Sequence, residues 1–107
     1  MVTDERPGER LSDALRQRGM SNEELAWVLG LSLEAVELIQ AAEVISTTAL
    51  RLEAALGIPA GTWLPSAAPE ALWLLSERMA GELAMIRRRR QALSHHRRTE
   101  ADWTRWN

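Results

Sequence analysis

The chain has 107 residues, 46% of them apolar, and a formal net charge of −2. That is one domain's worth of sequence, enough to cover a single core with an appendage but not two independent cores. The absence of Cys excludes disulfides and thiolate metal sites and fits a reducing compartment, the cytoplasm; no apolar run approaches the roughly 20 residues needed to cross a bilayer, and the opening MVTDERPGER has no apolar signal core.

The small net charge hides an asymmetry: residues 1–82 carry six Arg against 13 acids, whereas residues 83–107 carry seven Arg against two. All 13 cationic side chains are Arg, which with the many Ala and Leu suits a GC-rich bacterial or phage genome. Residues 1–7 read as a polar lead-in. From Glu9, the positions Leu11, Ala14, Leu15 and Arg18 keep helical spacing up to Gly19, where a helix stop belongs. Ser21-Asn22-Glu23-Glu24 has the capping-box pattern, in which the Ser21 hydroxyl accepts from the Glu24 amide and the Glu24 carboxylate reaches back to Ser21. The second helix starts there and buries Leu25, Ala26, Val28 and Leu29. Gly30 supplies the left-handed residue for a tight turn, and Ser32 caps a third helix whose Val36 and Ile39 face the core.

The third helix fades around Ala41-Ala42. Ser46-Thr47-Thr48 offers a cap for a fourth helix from Ala49 to Leu56, stopped by Gly57, with Leu50, Leu52 and Leu56 closing the core. Pro59 fits the first turn of a short fifth helix reaching Trp63-Leu64, and Pro65 ends it. After the linker 65–69 a single long helix is expected to about Arg98, interrupted only by Gly81. Its apolar stripe is Leu72, Leu75, Met79, Leu83, Ile86 and Leu93, long enough to extend beyond a small globule. Two occupants fit that stripe equally: the chain's own domain, or the same helix of a homodimer mate. Thr99 starts one last turn, on which Trp103 and Trp106 share a face for the chain's own surface or an interface. The division expected is a helix-turn-helix domain over 1–65 and a helical extension over 66–107.

Several of these residues carry a resemblance. Arg6-Pro7-Gly8-Glu9-Arg10-Leu11, then Ser21, Glu24-Leu25-Ala26, Leu29-Gly30 and Ser32, and finally Ala49-Leu50-Arg51-Leu52, Leu56-Gly57 and Trp63-Leu64 resemble the Xre-type helix-turn-helix domain, and within it the HigA-like antitoxins. The resemblance covers roughly Arg6 to Leu64. It implies an all-α, five-helix lambda-repressor-like fold, here followed by a long C-terminal helix. It also implies that the second helix lies across DNA phosphates, that the third enters the major groove, and that Trp63-Leu64 helps a dimer form. Thr62 stands where such domains commonly have a second aromatic residue.

Carried over by position, the DNA-facing residues are Asn22, Leu33, Glu34, Ala35, Glu37, Leu38 and Glu43. Asn22 keeps a hydrogen-bond donor; the others are apolar or acidic. Phosphate neutralisation dominates protein–DNA affinity, and a good base contact adds only about 1–3 kcal/mol of discrimination. Three carboxylates oppose that, and no Arg lies between Arg18 and Arg51. A Glu on a reading helix accepts from cytosine at best, and Glu34 and Glu37 also read as ordinary solvated residues. Leu33 and Leu38 beside them make an acid-rimmed apolar ridge better suited to a protein partner.

Arg87, Arg88, Arg89 and Arg90, with Arg97 and Arg98, form the only cationic cluster. Three readings stay open for it: tracking a nucleic-acid backbone, solvation at a helix C-terminus, or pairing with the acids around Glu34, Glu37 and Glu43. The adjacent His95 and His96 point about 100° apart on a helix and make no chelating pair. No metal or cofactor is expected, and without Cys, Tyr, Lys or a Gly-rich phosphate loop no enzyme constellation appears. Two functions follow. One is an antitoxin-like protein-binding module whose interface draws on Leu33, Glu34, Glu37, Leu38, Trp63, Leu64, Leu75, Met79, Leu83 and Ile86, with a basic toxin nuclease as the partner the resemblance implies and a homodimer as the assembly. The other is a sequence-specific DNA-binding repressor in which the arginine cluster supplies the missing charge.

Overall fold

The computed structural model describes the backbone over residues 7–41 and 44–105 and the side chains over residues 10–41 and 44–97. The described elements are all helices: α1 (Pro7–Arg18), α2 (Asn22–Leu29), α3 (Leu33–Ala41), α4 (Ser46–Leu56), α5 (Ala60–Trp63), α6 (Pro69–Arg78) and α7 (Ala80–Arg105). None of them is long and apolar enough to cross a membrane.

Local chemistry sets most of the ends. The capping box of α2 is formed: Glu24 N–H donates to Ser21 Oγ at 3.1 Å, and Ser21 N–H donates to Glu24 Oε1 at 2.9 Å. At its other end Gly30 adopts φ 72°, and the N–H groups of Gly30 and Leu31 donate to Trp27 O and Ala26 O, a Schellman arrangement that satisfies two orphan carbonyls. Ser32 Oγ accepts from Ala35 N–H at 3.1 Å and starts α3.

Three boundaries differ from those read in the sequence. Helix α1 starts at Pro7 rather than Glu9, because a proline at the first helical position lacks only an N–H that would have had no partner. Helix α4 starts at Ser46, not Ala49; Ile45 occupies the cap position without a side-chain bond, and its carbonyl accepts from Ala49 N–H. Buried Val44 anchors the chain just before it. Likewise Pro59 is the cap residue of α5 rather than part of its first turn, and the Glu53 carboxylate reaches over from α4 to accept from Ala60 N–H at 2.7 Å.

The expected single long helix is interrupted at Met79, where φ is −96° and ψ is 8°. The hydrogen-bond ladders of the two helices meet at this residue, Met79 N–H donating to Leu75 O and Leu83 N–H to Met79 O. Gly81 falls in the first turn of α7. Beyond it, α7 runs through Thr99 without the separate last turn that was expected. The side chain of Trp103 and all of Trp106 lie outside the described residues.

One core unites both parts of the chain. Leu11 and Leu15 of α1, Leu25 and Val28 of α2, Val36 of α3, Leu52 and Leu56 of α4, Trp63 of α5, and Met79, Leu83 and Ile86 belong to a single buried cluster. Helix α7 packs across α2 and α4, and α6 leans on α4. The stripe left open between the chain's own domain and a dimer mate therefore covers its own domain. Met79, Leu83, Ile86 and Trp63, read from the sequence as interface residues, are packing residues here, with Ile86 at 0% exposure. Leu64 and Leu75 are partly buried against the same cluster. The division at residue 65 is thus a change of composition, not a gap in the core. Fully burying a side chain of this size contributes about 1.5–3 kcal/mol, which makes the return of α7 a main term in stability.

Candidate interaction face

Helix α3 is held from behind by α1 and α2. Val36 is buried and Ile39 and Gln40 are partly buried, so the helical period turns Glu34, Glu37 and Leu38 outward. Leu38 is 69% exposed and stands beside the two acids, while Leu33 at the start of the helix is 37% exposed. Ala35 is half-buried. Glu43 lies outside the described residues.

Asn22 does not stand free toward a phosphate. Its side-chain amide pairs with that of Gln40, with Gln40 Nε2 donating to Asn22 Oδ1 at 2.9 Å and Asn22 Nδ2 to Gln40 Oε1 at 3.4 Å, which ties the start of α2 to the end of α3. A sequence reading pairs residues through helical spacing, so a bond between positions 18 apart is invisible to it.

Helix α2 adds an exposed aromatic that the sequence reading passed over. Trp27 is 52% exposed, and Leu31, four residues on in the turn, is 37% exposed. The signal was present: with Leu25, Ala26, Val28 and Leu29 inward, position 27 is the one left outside. Ile45, 62% exposed, lines an open groove of about 460 Å³ with Trp63, Leu64 and Pro65. The surface of α2 and α3 thus combines Trp27, Leu31, Leu33 and Leu38 with Glu23, Glu34 and Glu37, and residues 22–41 contain no cation.

Three arginines of α7 reach the ends of other helices. Arg89 Nε donates to Val28 O at 2.8 Å, at the C-terminal end of α2. Arg97 Nη2 donates to Gly19 O at 2.6 Å, just past the end of α1, and the same guanidinium grips the Glu24 carboxylate through Nε at 3.0 Å and Nη2 at 2.5 Å. The Arg90 guanidinium lies against Gly57 at the end of α4, so close that a Cβ there would meet it at 2.9 Å. Arg18 completes the set from α1, donating to Leu56 O at 3.1 Å. Helix C-termini present unpaired carbonyls and the negative end of the helix dipole, and a guanidinium answers both.

The acid met is Glu24 of α2, not Glu34 or Glu37. Arg87 and Arg88 remain exposed, and Arg98 lies outside the described residues. His95 and His96 are exposed, and among the described residues no group of three His, Asp or Glu side chains is placed to hold a metal ion.

Hydrogen bonding from the Ser21 N–H, joined by the Arg97 guanidinium, holds the Glu24 carboxyl below its usual value of 4.5, with burial opposing in part. An acid whose folded value is depressed favours the fold at pH above its unfolded value and loses that contribution as pH falls through the folded one. The stability advantage of the native chain over Glu24→Gln is therefore expected to be constant near neutrality and to shrink below about pH 4.5, measured by denaturant melts of both proteins across that range. An advantage independent of pH would show that the carboxylate contributes shape alone. No known protein family matches the chain, and neither a curated protein nor a solved structure matches it.

Proposed function

We propose that this chain is a HigA-like regulatory protein of the Xre helix-turn-helix type, working without catalysis in the cytoplasm and acting mainly as a protein-interaction module. Support for the fold type comes from the tight Gly30 turn between α2 and α3 inside a set of five short helices. The observation that carries the function is Leu38, widely exposed beside Glu34 and Glu37 on a helix without a cation. An apolar centre with an acidic rim suits a basic protein surface, of the kind a toxin nuclease would offer.

The DNA-binding repressor reading rests on Arg87 and Arg88, the exposed members of the cluster. Against it, α7 packs on α2 and α4 rather than α3, and Arg89 and Arg97 point their donors inward. Two parallel titrations separate the readings: the protein against its own upstream DNA at moderate salt, and against the purified product of the adjacent gene. The expected result is no specific DNA shift, together with protein binding that Leu38→Asp weakens about tenfold or more and that reversal of Glu34 and Glu37 to Lys also weakens. Specific nanomolar DNA binding lost on Leu38→Ala or Glu37→Ala would overturn the proposal.

A further inference from the structure

The side of α6 and α7 turned away from the core has a pattern that packing within the chain does not explain. Met79, Leu83 and Ile86 point inward. Opposite them, at three- and four-residue steps, stand Leu74, Glu77, Gly81, Ala84 and Arg88, a spacing that matches the inward positions Leu72, Leu75, Met79, Leu83 and Ile86, which keep helical steps through Met79. Trp73, Leu74 and Met85 on this side are 61%, 59% and 47% exposed. Gly81 is the odd member. It lies inside a helix, where glycine is unfavourable, and a Cβ added to it would meet nothing within 4 Å. Neither backbone conformation nor a neighbour in the chain requires glycine at this position.

The charges on this face are ordered. Glu77 is exposed on one side of the Gly81/Ala84 pair and Arg88 on the other, each four residues away from the nearer small residue. A two-fold axis through the point midway between Gly81 and Ala84 sets one copy antiparallel to another, with Gly81 facing Ala84 and Glu77 facing Arg88, each pair made twice. Such a surface is its own complement, the condition for a closed dimer. The small centre lets two backbones approach closely, and Trp73, Leu74 and Met85 flank it with apolar area.

We infer that a second copy of this chain docks antiparallel along the outward face of α6 and α7. This dimer uses none of the α3 residues and differs from both dimer surfaces read in the sequence, the inward stripe of Met79, Leu83 and Ile86 and the Trp63-Leu64 pair.

Sedimentation velocity of the full chain over a concentration series tests the inference. A reversible monomer–dimer equilibrium is expected. Glu77→Arg and Arg88→Glu should each raise the dimer dissociation constant about tenfold or more by setting like charges face to face, and the doubly exchanged protein should regain dimerisation. Gly81→Gln distinguishes assembly from folding. In open space a better helix former should raise the melting temperature at concentrations where the native chain is monomeric, yet its side chain should block the close approach and abolish the dimer. A native chain that stays monomeric throughout overturns the inference, as does a dimer indifferent to both single charge changes, a double exchange that restores nothing, or a Gly81→Gln protein that still dimerises.

Discussion

A chain ended at Arg78 is expected to lose its cooperative thermal transition, although it retains the whole segment that resembles a helix-turn-helix domain. Met79, Leu83 and Ile86 all leave with the removed segment. These three buried side chains together represent about 5–9 kcal/mol of apolar burial, against a total stability of about 5–15 kcal/mol for a domain of this size. Arg89, Arg90 and Arg97 depart too, uncovering the ends of α2, α4 and α1. Circular dichroism melts of the full and shortened chains measure the effect. The milder Ile86→Ala should cost about 2–5 kcal/mol and lower the melting temperature by about 10 °C or more. A shortened chain that melts cooperatively within a few degrees of the full one would mean that the core is complete without α7.

Gly30→Ala is expected to be a strongly damaging single-methyl addition, because two independent penalties meet there. The φ of 72° puts a Cβ against the following carbonyl, at about 1–2 kcal/mol. That Cβ would also stand 2.9 Å from Arg89 Nη2, which must move and so gives up the bond to Val28 O, a charge-assisted contact contributing about 1.5–3 kcal/mol. The sum is about 2–4 kcal/mol, allowing for partial relaxation. Gly19 is the internal control: its φ of 62° carries the first penalty, but nothing lies within 4 Å of the added Cβ. Gly19→Ala should therefore cost only the backbone part. In an Arg89→Ala background, Gly30→Ala should fall to the same level. Equal costs for Gly30→Ala with and without Arg89 would show that the guanidinium yields freely.

What the sequence made legible is what neighbouring residues decide. Ser21 with Glu24, Ser32 before α3, and Gly19, Gly30 and Gly57 at helix ends are local arrangements of donors, acceptors and backbone freedom, and the structure places them where the sequence did. The inward positions Leu25, Val28, Val36, Leu52 and Leu56 follow from periodicity in the same way. The destination of α7 was not legible. An apolar stripe specifies only that it must be covered, and the same Leu83 and Ile86 would serve a partner's helix equally well.

The role of the arginines was hidden for a different reason. Arg89 and Arg97 bond to carbonyls 61 and 78 residues away, and a carbonyl belongs to every residue, so no sequence letter marks it as a mate. The run of four at 87–90 and the later Arg97 read as a charged surface because side-chain identity is all that a sequence displays. The Asn22–Gln40 pair was missed because its two members sit on different helices, at an angle that only the finished turn defines. The candidate face on α3 was legible as chemistry, through Leu38 beside Glu34 and Glu37, but Trp27 was not counted with it.

The inward anchoring of Arg89 and Arg97 has a practical consequence for anyone asking whether this protein holds a polyanion. Erasing the whole arginine run would remove tie-rods along with charge, and a lost gel shift would then report collapse of the scaffold as readily as a vanished contact. Arg87, which is exposed on α7, is the position where positive charge can be stripped while the framework stays upright, so a titration difference at that site speaks for electrostatics alone.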